Sequence, residues 1–277
     1  MQLLSSFFGM IIRFIYGLLN NNYFWSIIVF TIFTKVVLFP LAWIQIKSME
    51  KINRIAPKDK FIREKYKNDK QKQTEELAKL YSENKINPLG GCLPLLIQLP
   101  IIISMFYIVR QPLTYILQVP QDQIKAYTQE ILQKEDVTDK EMDAYELTVA
   151  KEKNLIDMNV GFGFNMGDIP SNVFSNDEAK KAHPVSLLVP ILTVLLAIFQ
   201  NKMNQKGTEM SEEQLEMQKS MNLFMPLLTG FIAYTMPLAL GVYWLFGNVL
   251  QIIQQQFINF VVKKDKEKLA LNEGGIK

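Results

Sequence analysis

The chain has 277 residues, 49% of them hydrophobic, and a formal net charge of +3. This bulk composition is that of an ordinary soluble protein, but the position of the charges excludes that class. The 57 charged residues lie in four segments, 45–91, 111–182, 201–220 and 263–277, with three exceptions. The exceptions are Arg13, Lys35 and Arg110. The rest of the chain forms apolar runs long enough to cross a bilayer, which predicts a membrane protein.

The apolar runs predict five transmembrane helices. Three of the apolar runs have the ~20 residues that a spanning helix needs. The fourth, 220–262, would reach roughly 60 Å as one helix, twice the hydrocarbon thickness of about 30 Å. It must therefore fold back, and Pro237 and Gly241 mark the turn. We predict an all-α membrane protein with transmembrane helices at 23–44, 92–111, 183–200, 221–237 and 238–262.

Basic residues near the ends of these helices predict their direction. Segment 45–91 has twelve basic and seven acidic residues, whereas segment 112–182 has seven lysines and thirteen acidic residues. Cytoplasmic loops of membrane proteins are rich in Lys and Arg. Segment 45–91, the loop 201–220 and the basic tail 263–277 are therefore predicted to be cytoplasmic. Segment 112–182 is then extracytoplasmic, and the multi-pass chain is N-out and C-in.

Residues 1–22 are expected to form an interfacial amphipathic helix. Its aromatic and aliphatic side chains would lie at the outer headgroup level, with Ser5, Ser6 and Arg13 in water. A signal peptide is disfavoured because there is no basic n-region and no small-residue cleavage site before Asn20. An additional membrane span is the alternative.

Segment 45–91 is predicted to be a mobile helical hairpin. Its first helix continues from the first span to about Arg54, an interruption or kink follows near Ala56 and Pro57, and the second helix contains Leu77 and Leu80. Two interpretations are equally supported. The hairpin is either a docking device for a nascent chain, lipid or partner, or a solvated element that its lysines hold near anionic lipid.

In the outer segment 112–182, the string Gly161-Phe162-Gly163-Phe164 predicts a return toward the membrane surface. We find no chemistry in the rest of this segment.

Lys35 lies inside the first predicted span, where a charge costs about 2.5 to 3.5 kcal/mol, so it is by default a functional residue. Thr31 and Thr34 share its helix face at i, i+3, i+4 spacing. The alternative is snorkelling, because the seven residues from Lys35 to Ala42 place the amine about 10 Å below the cytoplasmic edge of the span.

Small and polar residues also lie on one face of each of three other spans. They are Ser186, Pro190, Thr193, Ala197 and Gln200; Asn222, Pro226, Thr229 and Ala233; and Gly241, Trp244, Asn248, Gln251 and Gln255. In a single helix such a row usually makes helix–helix contacts. Together with Lys35, the rows predict a shared, partly hydrated cavity that opens to the cytoplasm.

Four strings closely resemble signatures of the YidC family of bacterial membrane protein insertases. They are TKVVLFPL (34–41), INP (86–88), GCLPLLIQLPI (91–101) and GVYWLFGN (241–248). Their order and the charged segments between them also resemble the family, so the resemblance covers nearly the whole chain.

The resemblance implies a five-helix core around a hydrophilic groove, which is closed outward and inserts proteins into the bacterial cytoplasmic membrane without nucleotide hydrolysis. It places a basic residue of the groove at Lys35, where the family usually has Arg. A lysine can lose its proton when it is desolvated, whereas an arginine stays charged. Substrate-binding residues expected in the groove are Lys35, Thr31, Thr34, Gln98, Thr193, Gln200, Asn222, Trp244, Asn248 and Gln251.

The function expected from these observations is that of an insertase and chaperone for membrane proteins. Its expected partners are nascent membrane proteins, the lipid bilayer, the ribosome and, in one mode, the Sec translocon, but no DNA. We expect no enzymatic activity, no cofactor and no metal site, since the chain has one Cys and one His and lacks HExxH and Gly-rich phosphate loops. The alternative is a small-solute or anion transporter that uses Lys35 as its binding site, although the chain has no inverted repeat.

Overall fold

The computed structural model describes residues 2–86, 93–176, 181–205 and 212–274. Within these ranges the chain is mainly helical, in agreement with the predicted all-α class. The helices are α1 (Gln2–Leu18), α2 (Tyr23–Val37), α3 (Phe39–Lys65), α4 (Lys70–Glu83), α5 (Leu93–Arg110), α6 (Gln121–Leu132), α7 (Asp139–Glu152), α8 (Leu188–Gln205), α9 (Glu212–Thr235) and α10 (Leu238–Gly274). A π-helical turn spans Leu113–Leu117, and 3-10 turns span Pro170–Phe174 and Pro184–Leu187. The strands β1 (Asn159–Gly161) and β2 (Phe164–Asn165) form an antiparallel hairpin. The predicted Cys92 and Asn87-Pro88 motif positions lie outside the described residues.

Length and hydropathy identify fewer spans than the sequence predicts. Among the described residues, Pro184–Met203 is long and apolar enough to cross a bilayer by itself, and α2 with α3 qualifies as one bent pair. Shorter apolar helices are Leu3–Leu18, Gln98–Arg110 and Asn222–Thr235. The five-span count therefore stays a prediction.

The first predicted span is bent rather than straight. The axes of α2 and α3 differ by 56° at Leu38. Pro40 lies in the first turn of α3, and because proline has no amide hydrogen, it cannot continue the hydrogen bonds of α2. The span predicted at 23–44 therefore consists of α2 and the first turns of α3, which meet at this bend.

The second half of α3 packs against α4 as a helical hairpin. Of the two forms predicted near Ala56 and Pro57, an interruption or a kink, the interruption is wrong, since α3 continues through Pro57 to Lys65. Contacts with α4 hold the helix on both sides of the proline. Before it, Ile55 is buried with Leu80. After it, the buried Asp59 accepts hydrogen bonds from Arg63 Nε at 2.6 Å and from the Tyr81 hydroxyl at 2.5 Å.

Helices α8, α9 and α10 pack together, and α10 also packs against α2. Their polar and small residues face inward: Ser186 and Thr193 of α8 and its preceding turn, and Thr229 and Ala233 of α9, are buried. Large apolar side chains cover the outside, including Ile191, Leu195, Phe199, Leu223, Phe224, Leu227 and Phe231. This is the reverse of a soluble helix bundle and fits a hydrocarbon surrounding.

Two glycines allow these helices to approach closely. A Cβ at Gly230 of α9 would overlap Val194 Cγ2 of α8, and a Cβ at Gly241 of α10 would lie 2.9 Å from Val189 Cγ1. Close backbone approach at small residues is the usual basis of helix association in membranes.

The outer segment holds the start of α10. The Leu238 amide donates to the Asp168 carbonyl oxygen at 2.7 Å, and the Ala239 amide donates to the Met166 carbonyl oxygen at 2.9 Å. The buried Asp168 carboxylate is paired with Lys151 Nζ at 2.6 Å. Free N–H groups at a helix start need acceptors, and here residues that are distant in sequence supply them.

The string Gly161-Phe162-Gly163 forms the turn of the β-hairpin, with all three residues at positive φ. The Phe162 side chain, at the tip of the hairpin, is 95% exposed.

Helix α1 is apolar on two faces. Ile12, Ile15 and Tyr16 are buried against α5, the π-helical turn and α2, while Leu3, Phe7, Met10, Phe14 and Leu18 are exposed. The expectation that Ser5 lies in water is wrong: its hydroxyl is buried without a hydrogen-bond partner. Ser5 shares a face with Gly9, at which a Cβ would lie 3.1 Å from Tyr115, so this face is the packed one.

Glu146 of α7 holds the π-helical turn Leu113–Leu117 against α7. Its buried carboxylate accepts hydrogen bonds from the Thr114 amide at 2.6 Å and from the Thr114 hydroxyl at 2.8 Å. Burial raises the pKa of Glu146 to about 7, although the hydrogen bonds from Thr114 favour the ionised form.

Gly230→Ala is expected to destabilise the protein by about 1–3 kcal/mol, because the new methyl group overlaps Val194 and a helical valine has little rotamer freedom. Thermal unfolding in detergent measures this. Adding Val194→Ala should restore part of the loss, and equal midpoints for wild type and Gly230→Ala would contradict the packing described.

The outer segment is expected to become more stable as pH falls from about 8 to about 5. Between pH 4.5 and about 7, the folded chain holds a proton on Glu146 that the unfolded chain releases, because burial raises the pKa of Glu146 from 4.5 to about 7. This gain in the free energy of unfolding is complete below the ordinary pKa of Glu and is lost as pH rises through 7. It amounts to about 3 kcal/mol.

Thermal midpoints across this pH range test the role of Glu146. Glu146→Gln should flatten the profile. Glu141→Gln on the same helix is the control, because hydrogen bonds from Lys134 and Thr138 lower the pKa of Glu141 to about 2 and it does not titrate in this range. The assignment fails if both variants keep the wild-type slope.

Candidate functional site

Lys35 is fixed to α10 by both its side chain and its backbone. Its Nζ donates to Gln251 Oε1 at 2.8 Å. Its carbonyl oxygen accepts a hydrogen bond from Gln254 Nε2 at 2.9 Å. The bend after Val37 interrupts the helical hydrogen bonds here, so a side chain of α10 satisfies a carbonyl that the backbone of α3 leaves open. Lys35 is partly buried, in the seam between α2 and α10.

A second polar contact joins α5 to α10. Gln98 Nε2 of α5 donates to the Tyr243 hydroxyl at 3.1 Å, and Tyr243 is buried. Gln98 is a predicted groove residue, so the structure brings it to the same helix that holds Lys35.

The predicted threonines are buried, but their hydroxyls are engaged within their own helices. Thr31 donates to the Ile27 carbonyl at 2.6 Å, Thr34 to the Thr31 carbonyl at 2.8 Å, and Thr193 to the Val189 carbonyl at 2.8 Å. Such bonds leave oxygen lone pairs as acceptors. These threonines can therefore accept hydrogen bonds from a polar ligand, but their own hydroxyl hydrogens are already donated.

The other four predicted residues, Gln200, Asn222, Trp244 and Asn248, are partly buried on the inner sides of α8, α9 and α10. Lys35 and Gln251 are the pair among the ten predicted residues that a side-chain hydrogen bond joins in the described part of the chain. Among the predicted residues, Lys35 is therefore joined to α10 through Gln251, and Gln98 is joined to α10 through Tyr243.

A cleft of about 350 Å³ lies beside Lys35 on the outward side of the seam between α2 and α10. Its lining is mostly apolar: Ile32, Lys35, Val36, Phe39, Pro40, Leu250, Ile253 and Gln254. Lys35 is the predicted groove residue that borders it. The cleft is thus different from the predicted polar groove.

The sequence analysis missed Gln254 and Tyr243. Gln254 belongs to a run of three glutamines, 254–256, inside an apolar segment, which is a signal of buried polar contacts. Tyr243 lies within the recognised string at 241–248, one residue before the selected Trp244.

Groups of His, Cys, Asp and Glu side chains suited to a metal ion are absent from the described residues.

The pattern of the family described as "60Kd inner membrane protein" matches residues 14–266. The chain belongs to this family of inner membrane proteins. The resemblance to the YidC family found in the sequence is thereby confirmed.

Curated relatives of this family resemble most of the chain. The membrane protein insertase YidC of Chlorobaculum parvum is 30% identical over 250 residues, which cover 90% of this chain and 35% of that protein. The YidC of Leptospira interrogans is 28% identical over 260 residues, covering 94% of this chain and 34% of the relative. That of Dechloromonas aromatica is 28% identical over 237 residues, covering 86% and 32%. The chain spans about a third of the length of the curated relatives it matches.

Gln251→Leu is expected to lower stability by about 1–3 kcal/mol, because it leaves the partly buried Lys35 ammonium without its acceptor. It should also raise the rate at which a membrane-permeant reagent acylates Lys35. Thermal unfolding and peptide mass spectrometry measure the two effects. Gln255→Leu is the control, since the Gln255 side-chain amide donates to Asn259 Oδ1 on its own helix, at 3.3 Å. Equal Lys35 labelling in both variants would contradict the proposed anchoring.

Proposed function

We propose that the chain is a membrane protein insertase and chaperone, which moves segments of nascent membrane proteins from the cytoplasm into the bilayer through a positively charged hydrophilic groove. The observation that carries this proposal is the anchored cation Lys35 between α2 and α10, within a bundle whose polar residues face inward. Membership of the inner membrane protein family supports it, as do relatives that are named membrane protein insertases.

In this proposal the bundle spans the membrane five times, at 23–44, 92–111, 183–200, 221–237 and 238–262, with the N-terminus outside and the C-terminus inside. The charge difference between segments 45–91 and 112–182 supports this direction. The hairpin of α3 and α4 and the end of α10 then lie in the cytoplasm, where a substrate arrives.

The groove lowers the cost of moving a polar segment partway into the bilayer, because water and inward polar groups replace hydrocarbon. An acidic residue of the substrate pairs with Lys35. Two opposite charges about 4 Å apart gain about 4 kcal/mol at an effective dielectric of 20 and about 1 kcal/mol in water. The hold is strong enough to guide a substrate and weak enough to release it.

The Lys35 ammonium has the capacity for both contacts. An ammonium has three N–H donors, and Gln251 accepts one of them. A substrate carboxylate takes a remaining donor without breaking the contact that orients the lysine. Gln251 is therefore a positioning residue, and Lys35 is the residue that contacts the substrate.

The partners in this proposal follow from the same path. They are nascent membrane proteins, the lipid bilayer, the ribosome that delivers the nascent substrate, and the Sec translocon when the insertase works together with it. Insertion also proceeds without the translocon.

Insertion into liposomes tests the proposal. The substrate is a single-span protein with an acidic N-terminal tail, and the readout is its protection from protease. We expect wild type and Lys35→Arg to insert it, while Lys35→Ala and Lys35→Glu lose about tenfold in insertion, a change of ~1.4 kcal/mol. Lys202→Ala, which removes an exposed lysine at the end of α8, is the matched control.

A substrate with a neutral tail separates the charge contact from a general loss of function. Lys35→Ala should affect it less than the acidic substrate. Equal activity of all Lys35 variants would remove Lys35 from the mechanism. No stimulation over empty liposomes for several substrates would reject the insertase and favour the transporter.

A further inference from the structure

The outward cleft between α2 and α10 has two polar lining side chains, and both are already engaged. The Lys35 amine donates to Gln251, and the Gln254 amide donates to the Lys35 carbonyl. The Lys35 ammonium keeps two further N–H donors, but most of the lining is the apolar surface of Ile32, Val36 and Leu250 with their neighbours. A mostly apolar lining favours hydrocarbon.

The surroundings of the cleft indicate which hydrocarbon reaches it. Ile32, Val36 and Ile253 are 43%, 64% and 57% exposed on the outer surface of the bundle, which is the surface that faces lipid in a membrane protein. The cleft is open on this side, so an acyl chain of the surrounding bilayer enters it without crossing the bundle.

One end of the cleft carries features of a membrane–water interface. The Phe39 ring lies 6.2 Å from Trp43 and 6.2 Å from Phe257, so aromatic rings group at the bend. Lys47 Nζ then lies 4.9 Å from the centre of the Trp43 ring, one turn further along α3. Aromatic rings at the headgroup level with lysine beyond them match an anionic headgroup.

We propose that this cleft is a binding site for an anionic phospholipid, with one acyl chain between α2 and α10 at the bend and the headgroup beside Trp43 and Lys47. The bend shapes the site, because Phe39 and Pro40, which follow it, line the cleft. Apart from Lys35, the lining contains none of the predicted groove residues, and the site does not depend on the insertase assignment.

Photo-crosslinking of the full chain in nanodiscs tests the site. The probes are phosphatidylglycerol and phosphatidylcholine that carry the same diazirine-labelled acyl chain in a phosphatidylcholine background. Peptide mass spectrometry locates the adducts. We expect phosphatidylglycerol to label 32–40 and 250–254 more strongly than the equally exposed apolar face of α8, and phosphatidylcholine to show a smaller preference.

Variants separate the two parts of the site. Ile253→Trp and Val36→Trp, which fill the cleft, should each lower labelling by phosphatidylglycerol roughly tenfold, equivalent to about two buried methylene groups. Ile191→Trp on the lipid-facing side of α8 is the control. Lys47→Gln should remove the preference for phosphatidylglycerol over phosphatidylcholine, whereas Lys58→Gln, further along α3, should retain it.

Three results would overturn the proposal. Labelling in proportion to exposure over all apolar faces would mean annular lipid only. Equal labelling by the two lipids would reject the anionic headgroup site. Unchanged labelling in the filled variants would show that the acyl chain lies elsewhere, and if those variants also lost insertion, the cleft would instead accommodate the apolar part of a substrate.

Discussion

The structure depends on the contact between Lys35 and α10. An ammonium among apolar helices is tolerated only with a hydrogen-bond acceptor and polar surroundings, and Gln251 supplies the acceptor. The bond from the Gln254 side-chain amide to the Lys35 carbonyl lies one helical turn away. Together the two contacts fix α2 against α10 at the point where α3 departs. The polar groove proposed on one side and the lipid cleft on the other share this junction.

Close packing and an apolar outside are two results of the same constraint. Helices in hydrocarbon gain little from burying apolar side chains, so van der Waals contact and polar contacts hold them together. Gly230 and Gly241 provide the close contacts with α8, while Leu223, Phe224 and Phe231 cover the outside. The outer segment completes the arrangement by accepting the first amides of α10, through the Asp168 and Met166 carbonyls.

The helical class and the inward direction of the polar residues followed from periodicity, because spacing along a helix decides which residues share a face. The pairing of Lys35 with Gln251 could be predicted from the sequence, since both were selected as groove residues. The role of Gln254 could not be predicted, because it depends on a carbonyl that the bend at Leu38 leaves open. The presence of Pro40 in the sequence does not give the angle of that bend. Ser5 and Pro57 were misjudged for a related reason: tertiary contacts with Tyr115 and with α4 outweighed local preference.

The length of α10 has a mechanical consequence. It runs for 37 residues from Leu238 to Gly274 as one helix, which at 1.5 Å per residue is about 55 Å. Its first turn is bonded to the carbonyls of Asp168 and Met166, and Gln251 and Gln254 lie near its middle. The same continuous helix therefore links the segment 112–182 to the contacts that hold Lys35.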